Sequence, residues 1–328
     1  MIRKVLQLLL AHFILTTSAL SEAQQPAKVP RIGYLGGVSF SVNSARIEAF
    51  RQGLRELGYI DGKSIAIEWR SAEGKPERQR ELAAELVRLK VDVIVTDGSG
   101  STRSAKEATN TIPIVMANDN DPIGNGFVAS LAHPGGNITG LSRLAPELSG
   151  KQLELLKETV PTLSRVAILG TSSVPGNAQA LKEVKLAAEA LKLKAEYVDV
   201  LSSKDFEHAF RAARKGHADG VVVLMPGRVL NPYRREFADV AVKNRLPAIY
   251  RNGGDVEAGG LMSYGVHITD LDRRSATYVD KILKGAKPAD LPVEQPMKFE
   301  FIINLKAAKQ IGLTIPPNVL VRADRVIR

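Results

Sequence analysis

The chain has 328 residues, 44% of them apolar and 24% charged, with a formal net charge of +10 and no cysteine. This is long for one hydrophobic core and points to two lobes of an ordinary soluble protein; the missing cysteine excludes disulfides, thiolate metal sites, a catalytic thiol and a lipid-bearing cysteine. The basic excess is interleaved with acids, as at Glu77-Arg78 and Lys182-Glu183, and aromatics are only 5%, so a solvated surface is expected and a nucleic-acid partner is not.

In chain order, Arg3 and Lys4 precede an apolar run from Val5 to Leu15, followed by small residues and Ser21-Glu22-Ala23. Positive, apolar and small-residue regions in that order predict a secretory signal over residues 1–23, and the run is too short to span a bilayer. A linker over 24–30 leads to a first strand at Arg31 to Leu35. An amphipathic helix from Asn43 to Leu57 carries Ile47, Phe50, Leu54 and Leu57 on one stripe. A strand at Ser64 to Trp69 and a helix from Pro76 to about Lys90 follow. Val91 to Val95 reads as a strand buried on both faces. It stops at the polar loop Thr96 to Gly100, after which Ser101 or Thr102 can cap a helix through Asn110. Ile112 to Ala117 is the next strand, then a weak helix near Phe127 to Leu131 and a strand from Asn137 to Leu141. Alternating β and α units predict a parallel sheet with right-handed crossovers.

After a helix from Glu147 to Val160 the pattern restarts. Arg165 to Gly170 echoes Arg31 to Gly36, and Leu246 to Asn252 echoes Ile112 to Asn118, both 134 positions later. Between them, Ala218-Asp219-Gly220-Val221-Val222 resembles Val91-Asp92-Val93-Ile94-Val95 at an offset of 127. Three echoes in the same order predict two similar lobes. The second lobe takes helices at Ala178 to Leu191, Lys204 to Lys215 and Pro232 to Arg245, with strands at Lys194 to Val200 and Gly220 to Met225. Leu261 to Gly265 is a short strand and Thr269 to Lys284 a helix. A proline-bearing linker, Ala286 to Pro296, then leads to an edge strand at Lys298 to Asn304 and a short helix at Leu305 to Ile311. The expected fold class is α/β, with two doubly wound parallel-sheet lobes joined by several hinge connections. The first lobe takes 31–141 with about 266–290, and the second takes 142–265 with about 291–328.

The chain lacks a phosphate loop, a dinucleotide fingerprint and a nucleophile elbow, and its histidines show no metal-ligand spacing. No catalytic residue, metal or cofactor is expected. What remains is small polar groups at strand ends, where an open α/β sheet builds its ligand site. The candidate ligand-binding residues are Gly37, Ser39, Asp97, Gly98, Ser99, Ser101, Asn118, Asp119 and Asp121 in the first lobe, and Thr171, Ser172, Met225, Tyr250 and Asn252 in the second. Ser99, Ser101 and Thr102 at a helix start could hold a carboxylate, and Asp97, Asp119 or Asp121 an ammonium; Ser101 and Asp121 could equally cap and turn. Asn118 and Asn252 are expected to end equivalent strands on facing lobes.

A set of short stretches carries a resemblance beyond these patterns: Gly53-Leu54-Arg55-Glu56-Leu57-Gly58-Tyr59, Ala83 to Val87, Thr111 to Val115, Asp121-Pro122-Ile123-Gly124, Ser130 to Gly140, Gly259 to Gly265 and Tyr278 to Gly285. The chain resembles the ABC transporter substrate-binding proteins related to the tryptophan-binding and tyrosine-binding lipoproteins, of the type I periplasmic binding fold. The resemblance implies a non-enzymatic receptor that captures a small polar solute, an amino acid or organic acid among the candidates, between two lobes. The solute would then pass to the membrane subunits of an ABC permease. It also implies a third hinge crossing near Leu291. With no lipobox cysteine, it implies a free periplasmic monomer. Asp97-Gly98-Ser99-Gly100 departs from the Gly-Thr-Pro that relatives often carry after the third strand. A sensor module and an enzyme using Asp97 or Asp121 as base are the alternatives. A repressor core is disfavoured by the absence of a helix-turn-helix before Arg31.

Overall fold

In a computed structural model, which describes residues 29–143, 145–174 and 176–328, the short apolar runs pair into two sheets. The signal segment expected over 1–23 lies outside the described residues. The first half runs β1 (Arg31–Gly36), α1 (Ser44–Glu56), β2 (Ala66–Ser71), α2 (Pro76–Arg88), β3 (Val93–Thr96), α3 (Ser99–Ala108), β4 (Ile114–Asp119) and β5 (Ile138–Ser142). Its strands are all parallel, in the order β2-β1-β3-β4-β5. Every residue of β3, β4 and β5 is buried, as a parallel sheet covered on both faces requires.

The second half runs α4 (Ala145–Thr159), β6 (Arg165–Gly170), α5 (Gly176–Ala190), β7 (Lys194–Asp199), α6 (Phe206–Lys215), β8 (Gly220–Val223), α7 (Gly227–Leu230), α8 (Arg234–Lys243), β9 (Ala248–Tyr250), α9 (Gly253–Glu257) and β10 (Met262–Val266). Its parallel strands take the order β7-β6-β8-β9-β10, the same winding as the first sheet. The internal echo is therefore structural, down to a side-chain staple. Asp92 accepts the Arg31 backbone N–H at 2.7 Å, and Asp219 accepts that of Arg165 at 2.9 Å. Each aspartate ties the start of the third strand of its lobe to the start of the first.

The tail continues through α10 (Ile268–Leu283), β11 (Phe299–Asn304), α11 (Leu305–Ile311), α12 (Pro317–Leu320) and β12 (Arg325–Ile327). Helix α10 crosses back to the first sheet: Leu271, Ala276, Val279 and Ile282 pack with Ile47, Phe50 and Leu54 of α1 and with Ile32, Val93 and Val95 beneath. Val293 also packs in the first lobe, and Glu294 bonds Gly140 O through its N–H and the Ser142 N–H through its C=O, each at 2.9 Å. The chain then returns to β11, antiparallel to β10. Three passages thus join the lobes among the described residues, at 142–145, 266–268 and 294–299.

Some local expectations are corrected. Helix α3 begins at Ser99, because Gly98 at φ 152° turns the backbone three residues before Ser101, the first of the expected caps, leaving Ser101 inside the first turn. Phe127 to Leu131 forms turns: the N–H groups of Ala129 and Ser130 go to the carbonyls of Pro134 and His133 across the His-Pro-Gly-Gly loop rather than to a helical ladder. Strand β11 is not an edge, because β12 pairs with it on the outer side.

Candidate functional site

A cavity of about 510 Å³ opens at the carboxyl ends of both sheets. That is where a sheet of order 2-1-3-4-5 leaves a crevice, the connections from strands 1 and 3 leaving on opposite faces. The loops after β1, β3 and β4 supply one wall; those after β8 and β9 supply the other. Arg143 and His267, at two of the three passages between lobes, close one side.

Asp97 organises the first wall. Its Oδ1 accepts the Gly37 backbone N–H at 2.9 Å and the Ser101 hydroxyl at 3.1 Å, while Gln79 Nε2 donates to Ser101 Oγ at 3.1 Å. Asn43 Nδ2 reaches Asp97 Oδ2 at 3.4 Å. The carboxylate is thus engaged by the frame of the site, which shapes the crevice between β1 and β3.

Of the residues expected at a ligand, the structure brings Gly37, Asp97, Gly98, Ser99, Ser101, Asn118, Met225 and Asn252 together around the cavity. Asn118 and Asn252 follow equivalent positions in the two sheets and face one cleft, as the repeat predicts. The others stand outside the lining. Ser39 pairs with the Ser41 hydroxyl at 2.8 Å. Asp119 is fully buried and accepts from Asn125 Nδ2 and the Asp121 N–H, each at 3.0 Å; burial raises its carboxyl above the ordinary range. Asp121 closes a turn by accepting the Gly124 N–H at 2.8 Å. The Thr171 hydroxyl donates to Val200 O at 2.7 Å, and Ser172 is tied to Asp199 through its N–H and hydroxyl. Tyr250 belongs to the second core, edge-on to Phe237 with ring centroids 5.9 Å apart.

The charged side chains of the cavity come from helices and strand ends, and most are answered by an acid. Arg46 on α1 makes a two-pronged pair with Asp272 on α10, Nε at 2.7 Å and Nη2 at 2.9 Å. Burial pushes the Asp272 carboxyl upward and Arg46 pulls it back, while Asp272 holds Arg46 above its ordinary value against its own burial. Arg234 Nε donates to buried Asp255 at 2.9 Å, and Arg325 pairs with Glu257 at 2.6 Å. Two arginines differ. Arg143, just past β5, reaches across the cleft to Asn252 Oδ1 at 2.5 Å, and its Nε has no partner. Arg251, just past β9, is 8% exposed, with neither Nε nor Nη2 partnered. Burial lowers Arg251 to about 9, helped by the charge of Arg143. Arg143 is lowered by burial and then by Arg46, to about 10. Both remain cationic at neutral pH.

Sequence reasoning missed these arginines and their acids. An arginine on an amphipathic helix, such as Arg46, reads as solvated surface. Arg251 carried a usable signal, since it stands at the end of a strand whose small polar neighbours already marked a site. Among the described residues no group of His, Cys, Asp and Glu is arranged to hold a metal, and no helix is long and apolar enough to cross a membrane.

Residues 37–327 match the family model described as ABC transporter substrate binding protein. The chain is 28% identical over 269 residues to a tyrosine-binding protein of Clostridioides difficile strain R20291, covering 81% of this chain and 76% of that protein. It superposes on a conserved domain protein of Vibrio cholerae O1 biovar El Tor with a TM-score of 0.86 at 28% identity, over 91% of this chain and all of the other. An ABC domain of Streptococcus pneumoniae, solved in complex with L-Trp, superposes at 0.84 with 29% identity over 91% and 99% of the two chains.

Proposed function

Because the chain belongs to the ABC transporter substrate binding protein family, we propose that it is the solute receptor of an ABC importer, exported by a cleaved signal over residues 1–23 and free in the periplasm as a monomer. The observation that carries this reading is the cavity, about 510 Å³ and lined by strand ends of both lobes, a shape in which a small ligand is enclosed when the lobes close. The lobes are taken as 31–141 with about 266–290, and 142–265 with about 291–328, the three passages between them acting as the hinge.

The chemistry of the cleft favours binding over turnover. Asp97 is held by Gly37, Ser101 and Asn43, and Asp121 by its own turn, so both carboxylates are engaged in framing their loops. Family precedent makes amino acids and organic acids the first solutes to test, L-tyrosine and L-tryptophan among them. Closure would be driven by contacts that the ligand makes with both lobes only when they meet, a population shift between open and closed forms.

The experiment is a thermal-shift screen of the full chain, stripped of carried-over ligand by unfolding and refolding, against amino acids and organic acids. A ligand at a hundred times its Kd stabilises by about 2.7 kcal/mol, which gives a clear rise in Tm. Turnover of a compound without stabilisation by any would overturn the reading.

A further inference from the structure

Two arginines of the cavity, Arg143 and Arg251, form no ion pair among the described residues. Arg46, Arg234 and Arg325 each face a carboxylate within 2.9 Å. Arg143 is answered by the neutral amide of Asn252, and Arg251 has no partner for Nε or Nη2 among the described residues. A buried charge is ordinarily paired, because desolvation otherwise disfavours it by several kcal/mol. Arg143 lies close enough to lower Arg251 beyond the effect of burial, and both line one cavity. Arg251 lines the cavity with Nε and Nη2 buried and unpartnered, and a guanidinium is the planar fork that matches the two oxygens of a carboxylate.

The rest of the lining points the same way. No Phe, Tyr or Trp is among the described lining residues, which are dominated by Gly, Ser, Asn and charged side chains. The one aromatic ring such a solute would meet among the described lining residues is the imidazole of His267. Of the acids in the lining, Asp97 accepts from three donors, and Glu257 pairs with Arg325, which also lies 3.8 Å from Glu300.

We propose that Arg251, with Arg143 across the cleft, anchors a carboxylate of the ligand, and that this chain takes a polar carboxylic acid rather than an aromatic amino acid. The proposal rests on the receptor reading and narrows it. Filling the site joins the lobes, because Arg251 follows a strand of the second sheet, whereas Arg143, in the passage between lobes, is tied to the first sheet by its N–H on Asp119 O at 2.7 Å. A carboxylate held from both sides is a differential contact of the kind that closure needs.

The test is calorimetric titration of the stripped full chain with succinate, 2-oxoglutarate, L-glutamate, L-tyrosine and L-tryptophan, and with the amide counterparts of the acids that bind. We expect a polar acid to bind most tightly and its amide to bind at least about a hundredfold more weakly, as removal of one partner of a buried charge pair does. Arg251→Gln should lose a similar factor for the acid, and Arg251→Lys should recover part of it. Without ligand, Arg251→Gln should melt no lower than the parent, because it removes an unpaired buried charge; that readout separates lost recognition from lost folding. Tightest binding of L-tyrosine or L-tryptophan, equal binding of the amide, or unchanged affinity in Arg251→Gln would overturn the proposal and leave the receptor standing. If none of these probes binds, the proposal falls, and the receptor reading is decided by the wider thermal-shift screen.

Discussion

Arg46 and Asp272 show how much of the site is fixed by single side chains far apart in the chain. Asp272 is fully buried, and its charge is tolerable because Arg46 meets it with two hydrogen bonds at 2.7 and 2.9 Å. Removing the guanidinium strands the carboxylate, so Arg46→Ala should cost about 3–5 kcal/mol at neutral pH. The pH dependence has a definite sign. Burial already raises Asp272 above its ordinary 3.8, and losing Arg46 raises it further. Between 3.8 and that higher folded value, the native state binds more protons than the unfolded state, so stability falls as pH rises through the window. The variant should therefore recover part of its deficit on going from pH 7 to pH 5 in urea titrations, and a constant deficit would rule the mechanism out. None of this was legible in the sequence. Local pattern locates Asp97, which sits in an obvious strand-end loop, but nothing local tells Arg46 from the solvated arginines of other helices. Its partner is 226 positions away.

At the scale of elements, far more could be read. The repeat made the likeness of the two lobes legible, and the structure gives both the same winding, with Asp92 and Asp219 preserving even the staple at the strand starts. Failures came where a glycine or a loop-to-loop bond decided the outcome: Gly98 starts α3 early, and the Ala129–Pro134 bond replaces a helical turn. The contact of α1 with α10 makes a test of close packing. A Cβ built on Gly53 would lie 2.1 Å from Arg273 O and 2.9 Å from Ala276 Cβ, so glycine lets the two helices touch backbone to side. Gly53→Ala should separate them at a cost of about 1–3 kcal/mol. Gln52→Ala, one position along on the exposed face, should change stability by less than about 0.5 kcal/mol. Equal melting temperatures for the two variants would show that the helices yield without strain.

For the whole molecule, three passages between the lobes restrict motion to a rigid-body hinge, and the balance between open and closed forms depends on what spans the cleft without ligand. Arg143 to Asn252 at 2.5 Å is such a span. It couples a residue after β5 to one after β9 and holds two cationic walls together that would otherwise separate. Asn252→Ala deletes the acceptor and with it the Arg143 hydrogen bond across the cleft. The ligand-free variant should therefore populate more open forms and give a larger radius of gyration by small-angle scattering than the parent. Apparent affinity falls in proportion to the binding-competent fraction, so a shift of that fraction to about one tenth weakens the ligand about tenfold. At saturation both proteins should reach the same radius, because a carboxylate then bridges the arginines in place of the amide. A variant equal to the parent in both ligand-free radius and affinity would mean that Arg143 and Asn252 touch without governing closure.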